Sequence, residues 1–233
     1  MKWEIVCLDE IDSTNRWMKE HGSGDMVVVA DYQTAGRGCG TNRWESQRGR
    51  NLLFSLLLHP KDIDVRHQFR ISEVVSVALC ETLEEYATGF SIKWPNDIYW
   101  HDSKICGMLT ENRVVGQSLS ESIVGIGLNV NQQEFLSDAP NPVSLCQIVG
   151  HDVDRTTLLQ AFLHRLESLW SVEGVGDTYR RRLYRRGVEG TYEDVEGRFR
   201  ATLTQVEPDG RLVLTMSDGK ERRYAFKEVS FII

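Results

Sequence analysis

The chain has 233 residues, which is enough for one large domain or for a main domain with a small appendage. Hydrophobic residues make up 41% and charged residues 26% of the chain, and both values are typical of a soluble globular protein. The formal net charge of −7 argues against nucleic-acid binding as the main function.

The five cysteines lack CxxC spacing and several lie in apolar runs, which indicates buried free thiols in a reducing compartment. Acidic residues among the first ten positions disfavour a signal peptide. The apolar stretches are all much shorter than a membrane span. We therefore expect a cytoplasmic protein.

Apolar periodicity predicts the elements of the first half of the chain. A strand at 3–8 precedes a short helix, for which Asp-Ser-Thr-Asn at 12–15 offers several N-cap residues. Buried strands are predicted at 26–30 and 51–58. Apolar residues then recur at helical spacing from 69 to 86, which predicts the longest helix of this half.

The second half of the chain changes character near residue 187. Before that point the predicted elements are strands at 90–94, 98–100, 104–111 and 122–130 and helices at 154–172 and 178–186. Beyond it, short apolar runs are separated by Pro-Asp-Gly and Ser-Asp-Gly turns, which predict a small β-barrel. We place the domain boundary between residues 187 and 188.

A glycine-rich segment with two arginines lies between the strands at 26–30 and 51–58. It reads Gln-Thr-Ala-Gly-Arg-Gly-Cys-Gly-Thr-Asn-Arg-Trp over 33–44 and is called the glycine-arginine loop below. Glycines let backbone N–H groups approach a ligand, and arginines offer paired donors to carboxylate or phosphate. The loop is therefore a candidate anion-binding lid, with a solvated surface loop as the alternative.

Three further segments carry candidate functional groups. Lys-Trp-Pro-Asn-Asp at 93–97 places a cation, an amide and a carboxylate at a strand end, and an ordinary turn explains it equally well. Lys-Ile-Cys-Gly-Met-Leu-Thr-Glu at 104–111 begins a predicted apolar strand with a lysine. The alternative is that this lysine is a surface residue at a hairpin. Gly-Ile-Gly-Leu-Asn-Val-Asn at 125–131 has glycines that suit close ligand approach or a bulged strand end.

These four segments together, in this order and at these separations, resemble biotin protein ligase. Asp-Ser-Thr-Asn at 12–15 and Pro-Val-Ser-Leu at 142–145 agree with the same family, and the resemblance covers essentially the whole chain. It implies an α+β fold, in which a mixed sheet flanked by helices forms a catalytic domain at 1–187. A small SH3-like barrel would follow at 188–233.

The resemblance also implies roles for individual residues. Biotin would be held by Ser13, Thr14, Asn15, Gln33, Gly36, Arg37, Lys104, Gly107 and Gly127. ATP would contact Arg37, Cys39, Trp44, Asn96 and Asn129. The catalytic groups would be Lys104, Arg37, Asp97 and Lys93, with Asp97 also facing Mg²⁺.

The activity implied by the resemblance has two steps. Biotin and ATP give biotinyl-5'-AMP and pyrophosphate, and a lysine of a biotin carboxyl carrier protein then takes the biotinyl group. Two anions meet in the first step, so fixed cations and Mg²⁺ would stabilise the transferring centre. The expected partners are biotin, ATP and the carrier, with a homodimer as one option and without nucleic acid or membrane.

Two departures from the family pattern bear on this expectation. Cys39 and Thr41 replace residues of the usual Gly-Arg-Gly-Arg/Gln-x-Gly string, and a thiol is a weak hydrogen-bond donor. We therefore expect the loop to hold the adenylate less firmly. The chain begins directly with the catalytic motifs, so we expect the monofunctional form, without the N-terminal DNA-binding domain of family members that act as repressors.

Two alternatives compete with an active ligase. The first is a biotin- or nucleotide-binding module that has lost turnover, which the joint presence of Lys104, Asp97, Asn129 and Arg37 disfavours. The second is a lipoate ligase or octanoyltransferase of the same fold. The polar set Ser13, Thr14 and Gln33 suits a ureido ring better than a plain acyl chain.

Overall fold

The computed structural model describes residues 2–38, 40, 43–60, 63–136 and 141–233. In its first part the elements are β1 (Glu4–Ile11), α1 (Thr14–His21), β2 (Met26–Gln33), β3 (Leu52–Leu58), a 3₁₀ turn (Val65–His67) and α2 (Phe69–Leu83). The strands β4 (Phe90–Lys93), β5 (Asp97–Trp100), β6 (Ser103–Val115) and β7 (Ser118–Leu128) follow. Then come the helices α3 (Leu145–Val149), α4 (Arg155–Trp170) and α5 (Val175–Arg181). The last strands are β8 (Glu189–Asp194), β9 (Gly197–Val206), β10 (Leu212–Thr215), β11 (Glu221–Tyr224) and β12 (Ser230–Ile232).

A seven-stranded mixed sheet with the order β1-β2-β3-β7-β6-β5-β4 forms the centre of the described structure. The strands β1 and β2 are parallel, and the other neighbouring pairs are antiparallel. Every residue of β3 is buried, because the sheet is covered on both faces. This burial explains the unbroken apolar run of β3, which strands exposed on one face do not show.

Helices cover the two faces of this sheet unequally. On one face, Met18 of α1 packs with Met26, Val28, Leu57 and Ile123. On the other, α2 packs against α4 and α5 over the larger core. The helix α2 has eleven buried residues out of fifteen, so it behaves as a core helix rather than as a surface helix with one apolar stripe.

The last five strands form a second, antiparallel sheet with the order β11-β10-β9-β8-β12. Its apolar side chains belong to the same core cluster as those of the main sheet. This sheet agrees with the small C-terminal barrel expected from the sequence, and the first sheet confirms the predicted mixed sheet flanked by helices. The domain boundary at 187/188 stays a prediction.

Several elements differ from their predicted bounds. The strand β1 continues to Ile11 because its pairing with β2 extends to Gln33. The helix predicted at 178–186 is α5, which ends at Arg181 because the following backbone pairs with Ile92 of β4. The hairpin of β6 and β7 runs through the polar segment between 112 and 121, which lacked a clear apolar pattern.

None of the described helices combines the length and the apolar character that a membrane crossing requires.

Candidate active site

The start of α1 places a buried polar pocket against the sheet. Ser13 is the N-cap residue, and Thr14 and Asn15 are 4% and 3% exposed. Gln33, at the end of β2, accepts hydrogen bonds at its Oε1 from the Thr14 backbone N–H at 2.7 Å and from Thr14 Oγ1 at 3.1 Å. The Nε2 of Gln33 is turned toward the backbone of Gly36. The structure therefore brings together five of the residues that were predicted to bind biotin: Ser13, Thr14, Asn15, Gln33 and Gly36.

The structure adds two residues to this pocket that sequence reasoning missed. Ser55 Oγ lies 2.8 Å from Thr14 Oγ1 and 2.6 Å from Asn15 Oδ1. Glu111 Oε2 accepts a hydrogen bond from Asn15 Nδ2 at 2.9 Å. The signal for Ser55 was available, since it is a polar residue inside the apolar run of β3.

Two glycines form the floor of the site beside the pocket. Gly107 of β6 and Gly127 of β7 are register partners, and the indole of Trp44 lies across both. A Cβ at Gly107 would come within 2.9 Å of Trp44 Cζ3, and one at Gly127 within 2.4 Å of Trp44 Cε2. Only glycine permits this approach. Trp44 Nε1 is buried and has no hydrogen-bond partner among the described residues.

The glycine-arginine loop folds back on itself to bring Trp44 to the glycine floor. The backbone N–H of Trp44 donates to Gly36 O at 3.1 Å, and Arg37 forms an isolated bridge with Arg43. Arg37 is exposed and lines a cleft of about 380 Å³ beside α1, together with Ser13 and Lys19. Cys39, Thr41 and Asn42 lie outside the described residues, so the predictions made for them stay open.

Lys104 and Asp97 form the charged part of the site. Lys104 Nζ lies 2.6 Å from Asp97 Oδ2, and the two side chains are 27% and 24% exposed. Lys104 Nζ is also 5.8 Å from the Trp44 ring centroid, so the ammonium and the indole border the same space. The two residues meet because β5 and β6 are neighbours in the sheet, and the pair is half-buried.

Lys93 occupies a different environment from Lys104. Its Nζ donates to Tyr99 Oη at 3.2 Å and lies 5.0 Å and 5.4 Å from the ring centroids of Tyr99 and Phe231. Burial lowers the pKa of Lys93, and the charge of Asp97 opposes this effect. Lys93 therefore contacts the C-terminal sheet as well as the neighbourhood of Asp97.

The two asparagines predicted to contact ATP are held by backbone carbonyls. Asn96 Nδ2 donates to Met108 O at 2.9 Å, and Asn129 Nδ2 donates to Val143 O at 3.1 Å. Asn129 is 3% exposed, and its Oδ1 is buried without a hydrogen-bond partner among the described residues. A buried amide oxygen of this kind is costly unless a ligand donor satisfies it.

No group of three or more His, Cys, Asp or Glu side chains in the described ranges could hold a metal ion by itself. The site therefore consists of a neutral polar pocket, a glycine floor under an indole, a lysine–carboxylate pair and a buried amide acceptor.

Comparisons with known proteins agree with this site. The model of the "Biotin/lipoate A/B protein ligase family" matches residues 8–129. The bifunctional ligase/repressor BirA of Bacillus subtilis is 30% identical over 97% of this chain and 73% of its own length. The biotin--[acetyl-CoA-carboxylase] ligase of Paracoccus denitrificans is 32% identical over 57% of each chain.

Solved structures extend the likeness to the three-dimensional fold. The biotin protein ligase of Aquifex aeolicus in complex with biotin and ATP superposes with a TM-score of 0.81, at 30% identity and over 97% of both chains. The Leishmania major biotin protein ligase in complex with biotinyl-5-AMP has a TM-score of 0.66 at 22% identity and supports the fold alone. The match of the family model over more than half of the chain, with these relatives, shows that the chain belongs to the biotin/lipoate A/B protein ligase family.

Proposed function

We propose that the protein is a biotin protein ligase, which activates biotin with ATP to biotinyl-5'-AMP and transfers biotin to a lysine of a biotin carboxyl carrier protein. One observation carries the proposal. A neutral pocket of Thr14 and Gln33 and the charged pair of Lys104 and Asp97 lie along the same sheet, where α1 packs on it, together with a glycine floor covered by Trp44.

The pocket suits the ureido ring of biotin. A ureido group is neutral and has both N–H donors and a carbonyl acceptor, so a buried site must offer partners of both kinds. Thr14, Gln33 and the backbone near Gly36 offer them without a buried charge. The apolar tail of biotin suits the apolar surface that the Trp44 indole forms where it lies on Gly107 and Gly127.

Adenylation requires the carboxylate of biotin to approach the α-phosphate of ATP. Lys104 would stabilise the charge on both groups, and Arg37 would contribute from the loop. Asp97 and phosphate oxygens of ATP would hold Mg²⁺, because protein Mg²⁺ sites commonly use one or two carboxylates and the phosphates of the substrate. The bound ion would neutralise phosphate charge. The unpartnered Oδ1 of Asn129 would accept from the adenosine part of ATP.

Transfer to the carrier follows from the chemistry of the mixed anhydride. The carrier lysine amine attacks the biotinyl carbonyl, an amide bond forms, and the acyl–phosphate bond breaks to release AMP. Water would compete with the amine, so the loop at 35–49 is proposed to cover the intermediate. The cytoplasmic location remains part of this proposal, and the oligomeric state and the independence from nucleic acid remain predictions.

The second alternative, a lipoate ligase or octanoyltransferase, is disfavoured by the polar groups at the pocket. A plain hydrocarbon chain offers no hydrogen-bond partner to Thr14 Oγ1 or to Gln33 Nε2. The first alternative, a binding module without turnover, is separated from the ligase only by an activity measurement.

Biotin-dependent exchange of pyrophosphate into ATP, followed by transfer of labelled biotin to a carrier domain, tests the proposed function. We expect both activities in the wild type. Lys104→Ala should lower the exchange rate by roughly 10²–10³-fold while the protein stays folded, because it removes a charge contact to the transferring centre. Lys220→Ala is the control, since Lys220 is 82% exposed on a C-terminal turn.

Two results would contradict this assignment. Biotin binding without exchange in the wild type would favour the binding module. Exchange by Lys104→Ala within a few-fold of the wild-type rate would remove Lys104 from the mechanism.

A further inference from the structure

A continuous chain of hydrogen bonds runs from the surface of α1 to the ligand side of the polar pocket. Lys19 Nζ lies 2.6 Å from Glu111 Oε1, and Asn15 Nδ2 donates to Glu111 Oε2 at 2.9 Å. Asn15 Oδ1 is 2.6 Å from Ser55 Oγ, which is 2.8 Å from Thr14 Oγ1. These hydrogen bonds therefore connect β6, α1 and β3.

The carboxylate of Glu111 fixes the orientation of the Asn15 amide. An ionised carboxylate only accepts hydrogen bonds, and an amide NH₂ only donates them. Asn15 Nδ2 therefore faces Glu111 and the carbonyl of Leu109, which lies 3.3 Å away. The amide oxygen, which only accepts, is then fixed toward Ser55.

The orientation of this amide decides where the hydroxyl protons lie. Ser55 has one proton, for which Asn15 Oδ1 at 2.6 Å and Thr14 Oγ1 at 2.8 Å are the two acceptors, and the fixed amide oxygen takes it. The single proton of Thr14 points into the protein, where Gln33 Oε1 accepts it at 3.1 Å. A lone pair of Thr14 Oγ1 is left for a donor on the ligand.

Gln33 offers the ligand a hydrogen-bond donor, whereas Thr14 offers an acceptor. Its Oε1 already accepts from the backbone N–H of Thr14 at 2.7 Å, so its Nε2 is the group beside Gly36. The pocket thus offers an acceptor at Thr14 and a donor at Gln33. A cyclic urea offers the complementary N–H donor and C=O acceptor.

We propose that Glu111 is a positioning residue for the ureido ring, which it orders through Asn15, Ser55 and Thr14 without touching the ligand. The proposal rests on the proposed function of the same site. In this proposal the carboxylate of Glu111 on β6 determines why the pocket prefers a urea. Its direct partners on α1 are Lys19 and Asn15.

Two further observations support this chain as a built feature. A Cβ at Gly125 would lie 2.2 Å from Asn15 Oδ1, so the position opposite the amide admits glycine alone. Burial raises the pKa of Glu111, but the hydrogen bonds from Lys19 and Asn15 outweigh burial and keep the pKa below its usual value. Glu111 is therefore ionised at neutral pH and accepts hydrogen bonds without donating any.

The test is Glu111→Gln, which keeps the size of the side chain but can both donate and accept. The Asn15 amide then keeps only the Leu109 carbonyl, at 3.3 Å, as a fixed acceptor, so its orientation and the polarity of Ser55 and Thr14 are held less firmly. We expect the dissociation constant for biotin, measured by titration calorimetry, to rise about tenfold, as the loss of about one hydrogen bond implies. The kcat of exchange at saturating biotin and the KM for ATP should stay within about twofold.

Glu121→Gln is the matched control, because it makes the same change in the same hairpin at a residue whose ion-pair partner among the described residues is Arg113. Ser55→Ala is the second variant; it breaks the hydrogen-bond link between Asn15 and Thr14 and should weaken biotin binding in the same selective way. If Glu111→Gln does not fold, the Ser55→Ala result decides.

Two outcomes overturn the proposal. An unchanged biotin dissociation constant in both variants excludes a positioning role. A parallel loss of biotin affinity, ATP affinity and melting temperature shows a structural role alone. Absence of biotin binding by the wild type is a different result, which would refute the proposed function itself.

Discussion

Single glycines determine how closely Trp44 approaches the sheet. Gly107 and Gly127 face each other on β6 and β7, and the indole lies on both. The conformational freedom of glycine is not needed here, because neither residue has a positive φ. What the site needs is the missing Cβ, so that a planar side chain can cover the floor.

Gly127→Ala should displace the indole, since its Cβ would lie 2.4 Å from Trp44 Cε2. Trp44 is half-buried, so we expect a small change in melting temperature. The dissociation constant for biotin should rise at least about tenfold, because the cover over the tail no longer fits. Calorimetry of biotin binding and a thermal melt measure the two effects.

Gly190→Ala is the control for this substitution. Gly190 also has a negative φ, and its new Cβ would meet Tyr192 at an ordinary contact distance of 3.4 Å. Biotin affinity in Gly127→Ala equal to that of Gly190→Ala would show that Trp44 is not part of the binding site.

At the scale of elements, α2 buries a carboxyl group against α5. Glu73 is 9% exposed, and Gly176 of α5 leaves the space for it. Burial raises the pKa of Glu73, while Arg180 at 3.6 Å only partly offsets this effect. Arg180 also pairs with Asp177 at 2.6 Å, so it keeps a partner without Glu73.

This raised pKa gives folding a defined pH dependence. Between the unfolded pKa near 4.5 and the higher folded pKa, the folded state binds the Glu73 proton more tightly than the unfolded state. The contribution of Glu73 to stability is therefore fully present below pH 4.5 and is lost as the pH rises through the folded pKa.

Glu73→Gln should remove this loss, because an amide does not ionise. We expect the variant to have a higher melting temperature than the wild type at pH 7 and a smaller advantage at pH 4.5. Calorimetric melts at the two pH values measure the difference. A variant that is less stable at both values would mean that the ion pair with Arg180 outweighs the burial of the charge.

At the scale of the whole molecule, the C-terminal sheet packs directly on the Lys-Trp-Pro-Asn-Asp segment. Trp94 Nε1 donates to Gly210 O at 2.8 Å, and the Trp94 ring meets Phe226 edge-to-face. From the other side, Tyr179 of α5 donates to Pro95 O at 2.7 Å. The segment that leads to Asp97 is thus held between α5 and the C-terminal sheet.

The same sheet also reaches the glycine-arginine loop. Lys227, which has a φ of 72°, places its Nζ 3.5 Å from the position of a Cβ on Gly40. A chain cut at residue 187 would therefore lose a neighbour of the loop and expose Trp94. We expect such a truncation to be poorly folded as well as inactive, so a point substitution is a better test of the contact.

Gly210→Ala tests this packing, with Gly219→Ala as a matched control. Both glycines lie in turns of the C-terminal sheet with positive φ, at 91° and 82°, so both substitutions carry about 1–2 kcal/mol of backbone strain. Only at Gly210 would the Cβ meet another side chain, Phe69 Cδ2 at 2.5 Å. We expect Gly210→Ala to cost about 1–3 kcal/mol more in denaturant unfolding and to lower the exchange activity.

Equal unfolding free energies of the two variants would show that Phe69 and the turn separate without cost. In that case the C-terminal sheet would not stabilise the Lys-Trp-Pro-Asn-Asp segment through this contact.

The sequence by itself determined the elements whose pattern is local. The strand β3 was readable as an apolar run because both of its faces are buried, and α2 was readable from its helical periodicity. The motif segments were readable because each keeps its groups within a few residues of one another. The family and the mixed sheet followed from them.

Only the tertiary structure decided how residues far apart in the chain act together. Ser55 is 40 residues from Asn15, and Glu111 is 96 residues from it, yet both bond to the same amide. The end of α5 was likewise set by pairing with Ile92, which is 90 residues away from Arg182. Local sequence preferences do not include such contacts, because these contacts form and contribute free energy only after the sheet has brought the strands together.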